Sequence, residues 1–215
     1  MSSSWSNLPN VISIGRIVAA PAVLFLALST SSGPLYLAFV LFLAAALSDL
    51  WDGYLARKHG WITDMGKLLD PLADKLLLLS TLIPFLVISR RGPEWEVPWW
   101  GPFPVWVVAI ILGRELFMTI FRGWAARKGV VIQAGTAGKY KAFIQNLFAG
   151  GLLLWYAFLV TARGRGWLDT VEWTLWASFH RAWVGVMLGA SLFLTIYSMV
   201  EYLVRHRFLF RTARG

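Results

Sequence analysis

Between Ala19 and Ser48 the chain carries no charged residue, and the same holds from Ala142 to Ala162 and from Ala182 to Val200. A hydrocarbon core about 30 Å thick is crossed by roughly 17–25 helical residues, so each stretch is long enough to span it. Composition agrees: 58% of the residues are hydrophobic and 14% charged, where a soluble domain carries roughly 25% charged. A soluble fold of 215 residues has no core large enough for five or six such helices. The pattern therefore predicts an all-α, polytopic membrane protein.

Six spans fit: about 11–30, 34–51, 67–90, 102–122, 141–162 and 182–203. Thr30–Gly33 with Pro34 divides the first long apolar run into two helices. A short interfacial segment (1–10) and a basic tail (204–215) flank one six-helix domain covering 1–215, and Asn10 reads as the cap of the first helix. The run after Arg16 has the length of a signal-peptide core. Its leading flank is long, however, with Arg16 its only side-chain charge, and no small-x-small site follows. It is read as a retained span.

The absence of cysteine excludes disulfides and thiolate metal sites. The net charge of +9 is spread between apolar runs and not gathered on one soluble face. It points to anionic membrane lipids and phosphorylated substrates, and away from nucleic acid. Arg16, Arg57, Lys58, Lys67, Lys75, Arg122, Arg127, Lys128, Lys139, Lys141 and the arginines of the tail fall on one side of the membrane. Arg90, Arg91, Arg163, Arg165 and Arg181 fall on the other, among acids. The positive-inside rule then makes both termini cytoplasmic. Trp95, Trp99, Trp100, Trp167, Trp173, Trp176 and Trp183 mark the opposite interface, where Trp167–His180 is expected as a short surface helix. Gly185 and Gly189 form a small-xxx-small pair that suits either a dimer contact or packing within one copy.

Five of the eleven acidic residues lie between Asp49 and Asp74. On a helix Asp49, Asp52, Gly53 and Ala56 share a face, as do Gly66, Asp70, Ala73 and Asp74 on the next. Four converging carboxylates beside lipid require a compensating cation. Oxygen-only donors without His or Cys suit Mg2+ or Mn2+. Divalent ions next to basic residues at a membrane surface suit phosphoryl chemistry, with one carboxylate accepting a proton from an attacking hydroxyl. The small residues admit a large ligand or, alternatively, close helix packing. Arg114, placed inside the fourth span, and Lys139 and Lys141 before the fifth are candidates for an acceptor's phosphate, Arg114 foremost because of its position in the span. A divalent-metal transporter is the reading from another class, but its acids would be distributed along a path through the bilayer.

The series Asp49, Asp52-Gly53, Ala56-Arg57, Gly66, Asp70, Asp74, with two, two, eight, three and three residues between successive groups, resembles the CDP-alcohol phosphatidyltransferases at every motif position. Asn7-Leu8-Pro9-Asn10 with Ser13 and Arg16, Thr63, Leu69–Lys75, Gly113-Arg114-Glu115 with Arg122, Gly138–Lys141 and Gln145 are similar to one branch, the phosphatidylglycerophosphate synthases. Ala142 departs from that branch, where threonine is expected. The resemblance implies a six-helix membrane core, a homodimer in the bacterial inner membrane with a cytoplasmic site, and transfer of a phosphatidyl group from CDP-diacylglycerol to glycerol 3-phosphate with release of CMP. It implies that Asp49, Asp52 and Asp70 hold metal, and that Asp74 both touches metal and acts as general base. Gly53, Ala56 and Arg57 would contact the cytidine diphosphate. Thr63, Gly66, Arg114, Arg122, Lys139 and Lys141 would complete the substrate site. Inositol phosphate, phosphatidylglycerol and serine are the rival acceptors.

Overall fold

In a computed structural model the described residues form a bundle of six long helices. The structure describes residues 8–59, 63–130 and 136–207; the side chains at 50, 52–57, 59, 64, 67, 136, 137 and 139 are outside the described set. The helices are α1 (Leu8–Ala27), α2 (Ser32–His59), α3 (Asp64–Ile88), α4 (Val105–Arg127), α5 (Thr136–Arg165) and α6 (Val171–Arg205). A single β-bridge, Val97 to Gly101, closes a tight turn in the loop between α3 and α4. Among the described residues, five helices, all but α4, are long and apolar enough to cross a bilayer. α4 is long enough but carries Arg114, Glu115 and Arg122 along it. The protein is an integral membrane protein.

α1 packs along both α2 and α3, whereas among the described residues α2 and α3 scarcely touch each other; α5 joins α2 to α6, and α4 leans mainly on α6. One end of the bundle thus gathers the C-terminal parts of α2, α4 and α6 with the N-terminal parts of α1, α3 and α5. At about 1.5 Å per residue, the 28-residue α2 exceeds a hydrocarbon core by two turns or more, so the segment after Asp49 extends beyond it.

Two local expectations are corrected, and a pair the sequence left open is seen packed. Asn10 lies inside α1 and not at its cap, because the helix already begins at Leu8; its Oδ1 instead accepts the Thr63 hydroxyl at 2.7 Å. Trp167–His180 is not a separate surface helix. Thr170 caps α6, accepting from the Trp173 N–H at 3.2 Å, and no proline interrupts the helix from there to Arg205. The Gly185/Gly189 pair is covered from within the same copy. A Cβ at Gly185 would come within 2.5 Å of the Trp99 ring, and the Trp100 indole donates to the Gly185 carbonyl at 3.2 Å. The absence of side chains lets that loop seat on α6.

Candidate active site

The acids are brought together by α1. Arg16, 2% exposed, projects between α2 and α3. Its Nη1 lies 2.6 Å from Asp49 Oδ1 and 2.8 Å from Asp74 Oδ1, and its Nη2 3.5 Å from Asp70 Oδ1. Ser13, three residues earlier on the same helix face, donates its hydroxyl to Asp70 Oδ1 at 2.5 Å, with the Pro9 carbonyl an alternative acceptor at 2.9 Å. The three carboxylates keep roughly half of their side-chain surface open. Asp74 stands in the third turn of α3 and has no capping role; the cap is Thr63, whose hydroxyl oxygen accepts the Gly66 N–H at 3.0 Å.

Thr63 and Gly66 also dock α3 onto α1. A Cβ at Gly66 would lie 2.9 Å from Asn10 Oδ1, so the close approach of that side chain requires glycine here. Both residues thus have a packing role beside any role toward substrate. Asp52, Gly53, Ala56 and Arg57 lie on the helical backbone of α2 within two turns of Asp49. Their side chains, like that of Lys139 on α5, fall outside the described residues.

The basic residues divide into two groups. Lys141, 4% exposed, contacts Glu115 Oε1 and lines a polar cavity of about 100 Å³ with Arg16, Asp49, Asp74, Lys75 and Glu115. Arg114 is buried as well, but it turns toward α6. It donates to Ser198 Oγ at 3.0 Å and lies in a smaller pocket with Arg122, Glu201 and Arg205. Arg122 is exposed, its guanidinium 5.8 Å from the Tyr202 ring centre. Glu115 links the groups, since the same Oε1 also accepts from Arg114 Nη1 at 3.2 Å. An ideal helix sets adjacent residues about 100° apart, yet the length of both side chains lets them meet.

The polar cavity adjoins a larger apolar one of about 640 Å³ between α2, α5 and α6, walled by Phe39, Phe42, Leu43, Leu147, Leu154 and Trp183. Asp49, Ala142 and Asn146 line both. Ala142, the departure noted in the sequence, thus sits at their junction, where its methyl group adds no hydroxyl. A polar headgroup at the junction and hydrocarbon in the larger cavity would satisfy both linings.

The donor chemistry fits a hard divalent cation: carboxylates from two helices gather about one point of demanded positive charge, with no imidazole or thiol among them. Among the described residues, no three acids are set for ligating an ion at one point, and the focus of the cluster is the Arg16 guanidinium. Arg16, Ser13 and Glu115 enter the sequence reading of the site only as residues of the resemblance, with no role there assigned to them. A charge and a hydroxyl three residues apart in an otherwise apolar first helix were the signal for the first two.

This architecture belongs to a known class. A family model described as CDP-alcohol phosphatidyltransferase matches residues 6–187, and the chain belongs to that family and is an enzyme of its kind. Among its relatives is a Mycobacterium tuberculosis protein named "Probable phosphatidylglycerophosphate synthase", 32% identical over 203 residues that cover 93% of this chain and 81% of the relative. A Rickettsia bellii CDP-diacylglycerol–glycerol-3-phosphate 3-phosphatidyltransferase is 33% identical over 190 residues, 87% of this chain and 93% of that one. A CMP-forming cardiolipin synthase of Oryza sativa is 37% identical over 146 residues, 65% of this chain and 43% of the relative.

Proposed function

We propose that the protein transfers the phosphatidyl group of CDP-diacylglycerol to sn-glycerol 3-phosphate, forming phosphatidylglycerophosphate and CMP. The observation that carries this reading is the position of Asp49 and Asp74. Asp49 stands where a cavity holding a buried lysine meets a cavity fit for acyl chains, and Asp74 lines the first of the two. The acceptor's phosphate pairs with Lys141, and its hydroxyl oxygen attacks the phosphatidyl phosphorus. The bond to the CMP oxygen breaks, and Asp74 takes the hydroxyl proton. Asp49, Asp52, Asp70 and Asp74 would hold Mg2+ or Mn2+, which when bound would supply positive charge against the diphosphate and the leaving CMP. By the family's pattern Gly53, Ala56 and Arg57 would contact the cytidine diphosphate, and Arg114, Arg122 and Lys139 would support the acceptor side. Clustering of the acids at one end of the bundle, with none along a path through it, favours this over metal transport.

In the same reading the chain is one domain whose six helices all span, α4 included. It works as a homodimer among anionic lipids in a bacterial inner membrane, with the acid-bearing end and both termini cytoplasmic.

The test is CMP release by the purified protein from CDP-diacylglycerol with glycerol 3-phosphate, inositol phosphate, serine or phosphatidylglycerol offered separately. Release is expected with glycerol 3-phosphate, lost on chelation and restored by Mg2+ or Mn2+. Preference for another acceptor would overturn the substrate assignment. A full rate under rigorous chelation would overturn the metal assignment.

A further inference from the structure

The acid cluster holds its own cation. Arg16 is the only charged side chain of α1, is almost wholly buried, and reaches carboxylates on two helices that, among the described residues, scarcely touch each other. A buried guanidinium is retained only with partners, since its desolvation is costly and its fork can serve more than one carboxylate. Conversely, Asp49, Asp70 and Asp74 would repel one another at this separation without a positive charge between them. One guanidinium against three carboxylates leaves an excess of two negative charges among these groups, so Arg16 offsets the cluster only in part. Arg16 shares the lining of the polar cavity with Asp49 and Asp74, yet its side chain is almost closed off while those carboxylates keep an open surface.

We infer that Arg16 is a positioning residue that serves as a resident counter-cation: it keeps α2 and α3 assembled about the acid cluster when no divalent ion is bound, and it weakens the cluster's hold on such an ion. The inference rests on the metal assignment proposed above and goes beyond it. Without Arg16, assembly of the acids depends on the ion, because a ligand that binds only the folded state stabilises that state in proportion to its binding. A side chain that merely filled space would not couple to the metal.

The experiment is thermal unfolding of the full-length protein in detergent, in EDTA and over a Mn2+ titration without substrate, for the unaltered protein, Arg16→Met and Arg16→Lys. The unaltered protein is expected to stay folded in EDTA and gain modestly from Mn2+. Arg16→Met should melt lower in EDTA, recover most of the loss at saturating Mn2+, and bind Mn2+ about tenfold more tightly. Arg16→Lys, which keeps the charge, should respond to Mn2+ more like the unaltered protein than like Arg16→Met. An Arg16→Met protein equally unstable in EDTA and in Mn2+ overturns the inference and makes Arg16 a packing residue. So does an Arg16→Lys protein as metal-dependent as the Met variant. If no protein responds to Mn2+, including the unaltered one, the metal assignment itself fails, and this inference with it.

Discussion

The two ends of the bundle are built on opposite principles. At the end away from the acids, rings close on rings. Phe85, Phe103 and Phe148 form a triangle with centroids 6.0 Å apart, and Trp155 stacks on Trp176 at 5.7 Å, which stacks on His180 at 4.6 Å. Polar groups there are matched singly, as when the Tyr156 hydroxyl donates to the Trp95 carbonyl at 3.0 Å and His180 Nε2 meets the Gly151 carbonyl at 2.8 Å. At the acid-bearing end α1 meets α2 and α3 through charge pairs, the carboxylates remain half open, and polar and apolar cavities separate the helices, with ring packing at the Phe121–Tyr202 contact of α4 and α6. Packed aromatic surface can supply stability without accommodating a ligand. A reacting site needs access and electrostatic tension, so the two tasks are divided between the ends.

The sharpest way to break that comparison is to alter each end and measure both stability and rate. Asp74→Asn should lower CMP release by about a thousandfold or more, within the range for loss of a general base or larger. Its melting temperature and its retention of CDP-diacylglycerol should change little. Near-normal turnover would remove Asp74 from the chemistry, and a loss traced to unfolding would make it structural.

Trp155→Ala should do the reverse. Loss of so large a buried ring costs roughly 3–5 kcal/mol in cores, and Trp155 is 1% exposed among stacked partners. Denaturation in detergent should show that destabilisation while turnover per folded molecule is kept. A variant of normal stability with impaired transfer would mean that the aromatic end takes part in the reaction.

Smaller effects distinguish residues within the acid-bearing end. The sequence favours Arg114 as the main acceptor contact, but the structure turns Arg114 toward Ser198 and gives the acid-lined cavity to Lys141. Lys141→Ala should therefore raise the KM for glycerol 3-phosphate by about tenfold, with donor affinity nearly unchanged. Glu115→Gln and Arg114→Ala should act in the same direction by a few-fold, because Glu115 holds Lys141 in place and Arg114 reaches the cavity only through Glu115. Initial rates over an acceptor titration, with donor affinity measured alongside, check this. Loss of donor affinity in all three variants would place them on the nucleotide side instead.

Much of this was legible in the chain itself. Uncharged runs such as Ala142–Ala162 determine helices that cross a bilayer, because few other environments accept so much apolar surface. The acids at Asp49, Asp70 and Asp74 recur at helical spacing, which set them on the inner faces of α2 and α3 before any tertiary contact was known. What periodicity does not carry is which third helix stands between two others. Only the packing of α1 against both α2 and α3 turned Arg16 from a flanking basic residue into the centre of the acid cluster. Only packing gave Gly66 to Asn10 and Gly185 to Trp99. Tertiary structure likewise parted Arg114 from Lys141, since helix rotation about its own axis, and not position along it, decides which cavity a buried cation enters.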